Sequence, residues 1–176
     1  MTDERAAILR GMIRDVPDFP KPGIIFKDIT TFLKEPRGLA LAVDLLAEAL
    51  EGKGIERVVA MESRGFVFGT PVALRLGAGF VPVRKPGKLP AATERESYEL
   101  EYGTDTLEIH RDAIEPGMRV AIIDDLLATG GTAQATVRLV RRLGAEVAAV
   151  AFVIELDFLH GRDKLSDVEV VSLVHF

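Results

Sequence analysis

The chain is 176 residues long and 48% apolar, with 22 basic against 27 acidic side chains and a formal net charge of −5. That length suits one domain able to bury a real core, and the acidic balance argues against a nucleic-acid or membrane partner, although local basic clusters can still take phosphate. With no cysteine there is no disulfide, thiolate nucleophile or thiolate zinc site, and a charged N-terminal stretch without any bilayer-length apolar run points to a cytoplasmic protein.

No repeat, low-complexity tract or Pro/Gly/Ser-rich linker divides the sequence, so residues 1–176 are expected to form a single domain. The first helix is predicted over about Asp3 to Arg14. Three prolines in VPDFPKPGIIF (16–26) then forbid a continuous helix. A second helix, about Arg37 to Glu51, carries Leu41, Leu45, Leu46 and Ala49 and closes on Gly52. From there strands and helices alternate. RVVAME (57–62) reads as a buried strand, FVFGTPVALRLG (66–77) as a short helix and GFVPVRK (79–85) as a strand. VAIIDD (120–125) is the next strand, followed by a helix from about Gly131 to Leu143, a strand AEVAAVAFVIE (145–155) and a last strand from about Val168 to Val174. Near-continuous apolar strands alternating with helices define an α/β fold, with a parallel sheet covered on both faces and ligands at the carboxyl ends of its strands. Between them lies KPGKLPAATERESYELEYGTDTLEIH (85–110). Its first half is polar and turn-rich, while YELEY and TLEIH alternate like a two-stranded antiparallel flap.

The most informative stretch is VAIIDDLLATGGT (120–132), where two adjacent acids end an apolar run and small and hydroxyl residues follow. Adjacent carboxylates repel, and desolvating them is costly, so something must repay the chain for placing them there. Ala128, Thr129, Gly130, Gly131 and Thr132 open the next helix: glycines allow a tight turn, amides point at a ligand, and the helix N-terminus favours an anion. That is a phosphate cradle, though neither a Walker loop nor GxGxxG. Beside it, Asp124 and Asp125 can accept from vicinal ribose hydroxyls and engage a phosphate-bound Mg²⁺. Cradle and acid pair together match a ribose 5-phosphate. The plainer reading has Asp124 capping the loop and Asp125 solvated.

IIDDLLATGGT (122–132) resembles the phosphoribosyl pyrophosphate (PRPP) signature of the type I phosphoribosyltransferases. Four further stretches, PGIIFKDITT (22–31), ESRGF (62–66), VRKPGKLP (83–90) and YELEYGTDTLEIH (98–110), extend the resemblance to nearly the whole chain and place it in the adenine-using branch of that family. The resemblance implies a type I phosphoribosyltransferase fold: a mostly parallel five-stranded sheet flanked by helices, a small N-terminal hood (about 1–35) over the base and an antiparallel flap (about 86–110). It also implies a homodimer and Mg²⁺ carried by PRPP or pyrophosphate.

Particular residues acquire expected roles in the same way. Arg64, at the sheet edge after a buried strand, suits bidentate phosphate binding, and the resemblance gives its loop the pyrophosphate, with a non-proline cis peptide near Glu62–Ser63. Arg84, Lys85 and Lys88 surround a Pro-Gly turn and form one compact basic group in an acidic protein, expected to bind the pyrophosphate of PRPP. The resemblance assigns Glu101 to purine N7 as proton carrier, a role that a carboxyl drying under a closing flap can fill; by periodicity alone it is an exposed strand residue. Tyr102 lies beside it in the flap. Ile24, Ile25 and Phe26, otherwise ordinary core, become the adenine pocket, with an aromatic stacking on the base and backbone groups near Ile25 reading its edge. The resemblance counts Lys27 with this adenine site; it stands where relatives commonly carry arginine, and lysine keeps the charge but lacks the fork. His110, His160 and His175 show no metal-ligand spacing.

The expected reaction is adenine plus PRPP giving AMP and pyrophosphate, a purine salvage step, with Asp124, Asp125 and Glu101 as the catalytic acids. Two alternatives remain: a PRPP-sensing regulator on the same fold, and an enzyme of the same class using another purine such as hypoxanthine. A regulator usually shows a basic face or an appended nucleic-acid module, and neither is visible.

Overall fold

The computed structural model of the chain describes residues 2–99 and 103–176. An N-terminal helix α1 (Thr2–Gly11) leads into a two-stranded antiparallel ribbon of β1 (Arg14–Pro17) and β2 (Ile25–Asp28), then a short α2 (Thr30–Leu33) and a long α3 (Pro36–Leu50). After these come β3 (Arg57–Met61), α4 (Gly65–Leu76) and β4 (Gly79–Val83). A second antiparallel ribbon, β5 (Thr93–Glu99) with β6 (Thr104–His110), follows. The chain ends with β7 (Arg119–Leu127), α5 (Gly131–Arg142), β8 (Glu146–Glu155) and β9 (Val170–His175).

Strands β3, β4, β7, β8 and β9 form one parallel sheet in the order β4-β3-β7-β8-β9. Alternation along the strands splits its side chains between two cores. Val58, Ala121, Ile123, Ala149, Ala151 and Val153 pack with Phe32, Leu46 and Phe68 under α1 to α4. Val59, Met61, Val120, Ile122, Val150 and Phe152 pack with Leu139 of α5 and with Leu107 and Ile109 of β6. Apolar residues on both faces explain why these strands read as continuous runs. A parallel sheet flanked by helices, with an N-terminal ribbon and an antiparallel flap ribbon, is the arrangement that the resemblance to the type I phosphoribosyltransferases implies.

The boundaries differ from expectation where polar residues enter regular structure. The first helix stops at Gly11, because Arg14 to Pro17 pairs with β2 and Arg14 meets Asp28 at 2.5 Å. The flap strand begins at Thr93, earlier than the alternation of YELEY suggests: Glu94, Glu96 and Tyr98 turn inward while Arg95, Ser97 and Glu99 face solvent. Glu96 is held there by Arg138 and Arg142 of α5, and Arg142 also donates to the Arg95 carbonyl at 2.5 Å. Moving Thr93 to Glu99 would break these contacts, so this strand of the expected flap is anchored to α5.

Asp28 closes the N-terminal ribbon. Its carboxylate accepts the Thr30 hydroxyl at 2.7 Å and amide at 2.9 Å as well as the Arg14 guanidinium. The Thr30 hydroxyl first, then Arg14 and the Thr30 amide, hold its pKa down to about 2. A depressed carboxylate stabilises the fold above its unfolded value and loses that contribution as pH falls through the folded one. Asp28→Ala should therefore cost about 1 kcal/mol at neutral pH, as for loss of a helix-capping acid. The deficit relative to the unsubstituted chain should shrink below pH ~4 and vanish near pH 2. Thermal melts across that range measure it.

Candidate functional site

The carboxyl ends of β4, β3 and β7 lie side by side, and the residues at and beyond them line two joined cavities. The smaller, about 220 Å³, runs from Arg64 and the acid pair along Ala128 to Thr132. The larger, about 510 Å³, adds Glu62, Ser63, Lys85, Tyr98 and Asp105.

β7 delivers the acids. Asp125 is almost wholly buried and meets the Arg64 guanidinium at 2.6 Å. Asp124 is half-buried and accepts the Asp125 amide at 2.9 Å. Burial first, and then the neighbouring Asp125 charge, raise the Asp124 carboxyl well above its ordinary range. Beneath it lies Gly65, where a Cβ would come within 3.0 Å of the Asp124 carboxylate, so α4 starts directly against the acid pair.

The turn after β7 depends on Gly130, in the left-handed region at φ 79°. It carries the chain into α5, and the amides of Ala128 to Thr132 donate to no acceptor among the described residues. Uncommitted amides at a helix N-terminus form a ready anion site. Tyr98 belongs to no site motif in the sequence, yet its hydroxyl lies 3.1 Å from the Thr132 hydroxyl and 3.2 Å from Asp105, and its ring covers Gly131. The flap ribbon is thus fastened to the cradle. The signal was the inward phase of the alternating strand, which carries Tyr98.

The basic turn is organised by acids. The Glu62 carboxylate accepts the Arg84 guanidinium and the Lys85 amide, each at 2.7 Å, and Gly87 donates to Glu108 at 3.2 Å. Burial pushes the Glu62 carboxyl up, but the Lys85 amide and Arg84 outweigh it and hold it below the usual range. Lys85 pairs with Asp105, and Lys88 is exposed with its carbonyl toward Arg84. The Glu62–Ser63 peptide is cis, as the resemblance implies.

The N-terminal ribbon reaches the same place. The Arg64 guanidinium lies 5.7 Å from the Phe26 ring centroid, and Phe19 meets Phe26 edge-on at 5.2 Å. Ile24 and Ile25 are exposed. Lys27 is engaged elsewhere: its ammonium pairs with Asp15 at 2.7 Å and sits 4.0 Å over the Phe176 ring. Glu101 and Tyr102 lie outside the described residues. Among the described residues, Glu155, Asp157 and His175 come close enough to share a metal ion, but Glu155 is already taken by Arg162 and Ser172.

This chain belongs to the phosphoribosyltransferase family: the family model described as phosphoribosyl transferase domain matches residues 28–174. Its relatives narrow the class to adenine phosphoribosyltransferases. It is 61% identical to the adenine phosphoribosyltransferase of Acidobacterium capsulatum over 96% of this chain and 93% of that protein. Among solved structures it is similar to the adenine phosphoribosyltransferase of Thermoanaerobacter pseudethanolicus (TM-score 0.94, 55% identity, 97% of this chain and 99% of that one). It is also similar to the Saccharomyces cerevisiae enzyme, solved with an imino-altritol bisphosphate and adenine (TM-score 0.91, 44% identity, 97% and 98%). No helix among the described residues is long and apolar enough to cross a membrane.

Proposed function

We propose that the chain transfers the 5-phosphoribosyl group of PRPP to adenine, giving AMP and pyrophosphate in purine salvage. The observation that carries this reading is the junction, at the end of the central strand, of Asp124 and Asp125 with an uncommitted amide cradle at the start of α5. A sugar phosphate satisfies both halves: its 5′-phosphate takes the amides of Ala128 to Thr132, and its vicinal hydroxyls donate to the carboxylates. Arg64, Arg84, Lys85 and Lys88 then receive the pyrophosphate, exchanging their pairs with Asp125, Glu62 and Asp105 for phosphate oxygens. Mg²⁺ would come with PRPP and would offset charge on the departing pyrophosphate, and Asp124 and Asp125 would meet it through water.

Adenine sits under the hood against Phe26, flanked by Ile24 and Ile25. Lys27 supports the hood through Asp15 and Phe176. As the C1′–O bond breaks, an oxocarbenium-like sugar forms between the acids and the base, and N9 attacks it. Glu101 and Tyr102 of the flap close over N7, Glu101 carrying the proton. Catalysis is then mainly positioning, charge stabilisation and water exclusion. On this reading residues 1–176 act as one domain with a hood (1–35) and a flap (86–110), in a cytoplasmic homodimer. An exposed Leu74 beside the half-buried Leu39 and Pro71 supports the association. The test is a turnover assay with PRPP, Mg²⁺ and each purine in parallel. AMP formation is expected, and its absence in a folded, PRPP-binding protein would favour the regulator.

A further inference from the structure

We propose that Gly161 is a positioning residue of the phosphate cradle: the space left by its missing Cβ sets where the loop 128–131 lies, and so how tightly a 5′-phosphate is held. The proposal rests on the function given above for that loop. Gly161 is buried and opens a short 3-10 segment, Gly161–Leu165, beyond the end of β8. It is not among the glycines with positive φ, whereas its neighbour His160 holds φ 52° as a non-glycine residue. Backbone conformation therefore does not call for glycine at 161. Contact does. A Cβ there would strike the Ala128 carbonyl oxygen and come within 3.0 Å of the Ala128 carbonyl carbon and the Gly130 nitrogen. In return, a Cβ at Gly130 would strike the Gly161 carbonyl. The two glycines stand back to back, main chain on main chain.

Which side would yield to an added methyl follows from what holds each. Arg162 grips the buried Glu155 with two bonds, at 3.0 and 2.5 Å, and donates to the Val170 carbonyl at 2.9 Å. Gln134 of α5 reaches the Lys164 carbonyl at 3.1 Å. The 3-10 segment is thus fixed on both flanks. In the cradle, by contrast, the Gly130 carbonyl accepts the Gln134 amide and the Thr132 hydroxyl meets Tyr98, while Ala128 and Thr129 make no hydrogen bond among the described residues, so the Ala128–Thr129 stretch is the part that moves. Its ligand, a sugar 5′-phosphate, lies away from the reacting C1′, so a displaced cradle weakens binding in ground and transition state alike and appears in KM rather than in kcat.

The experiment is Gly161→Ala, read by calorimetric binding of ribose 5-phosphate and by steady-state kinetics. Ribose 5-phosphate affinity should fall, and KM for PRPP rise, by about ten- to a hundredfold, as for an ångström-scale misplacement of positioned donors. KM for adenine and kcat at saturating PRPP should stay within about threefold. Gly11→Ala, where a Cβ meets open space, controls for the substitution itself and should change neither. If Gly161→Ala does not fold, Arg162→Lys decides. It keeps the charge but loses the fork that fixes the segment, and ribose 5-phosphate binding should weaken in the same direction with adenine KM unmoved. Unchanged ribose 5-phosphate binding in the deciding variant overturns the proposal, and so does an equal loss for adenine. A parent protein that binds ribose 5-phosphate but makes no AMP would instead sink the proposed activity, leaving the Gly161 comparison readable by calorimetry.

Discussion

Asp124→Asn with Asp125→Asn is expected to lower turnover by about a hundred- to a thousandfold, the usual scale for removing preorganised charge from a reacting centre. On the proposed function the carboxylates meet sugar hydroxyls and face the positive charge that develops on the sugar carbon; amides keep the shape but lose the charge. Stability should move the other way for Asp124→Asn alone. The Asp124 carboxyl is raised by burial and by Asp125. The stabilisation from its bound proton is therefore complete below the unfolded value of about 3.9, and it is lost as pH rises through the folded value. At neutral pH an asparagine removes that burden, so the single variant should melt no lower than the parent. Matched melts and PRPP turnover decide the case. Near-normal activity with a lowered melting temperature would make the pair structural.

Adenine should be preferred to hypoxanthine by about ten-thousandfold in kcat/KM, the discrimination reached when a site's own polar groups are left unpaired by the wrong substrate. The hood ribbon has only two strands, so β2 is an edge strand and every second residue turns its amide and carbonyl away from β1. A purine edge laid along Ile25 meets main-chain groups whose donor and acceptor order cannot be exchanged by a side-chain flip. Adenine offers an amino donor beside a bare ring nitrogen, while hypoxanthine offers an oxo acceptor beside an N–H, the reverse order. Parallel kinetics with both bases measure the ratio. A value within about tenfold would mean that flexible side chains, not the strand edge, read the base.

The sheet was legible because its strands are apolar on both faces, and a run such as RVVAM leaves few alternatives. The cradle was legible because Asp124 to Thr132 are consecutive, so chain order alone puts carboxylates, turn glycines and a helix start together. What escaped were relations between distant residues. Glu62 looks like half of a surface pair until β3 and β4 are set side by side, and then it orients Arg84. Tyr98 and Thr132 are 34 residues apart, and nothing local announces their contact. Lys27 adjoins the base residues in chain order, whereas its partners Asp15 and Phe176 come from opposite ends of the chain. Gly161 carries no signal in sequence, since its conformation is ordinary and only its neighbour across the fold forbids a side chain.

The strand order also acts as a ruler. The basic turn follows β4, Arg64 follows β3 and the phosphate cradle follows β7, three neighbours in the sheet. Hydrogen bonding spaces adjacent strands at about 4.8 Å, so the two outer anion sites are held roughly 10 Å apart by backbone geometry that no surface substitution alters. A molecule carrying an anion at each end can satisfy both at once, and its second contact forms at a high effective concentration. A singly charged analogue of either end forgoes that gain. Selection for a doubly anionic sugar is in this sense a property of the sheet as much as of the arginines and amides mounted on it.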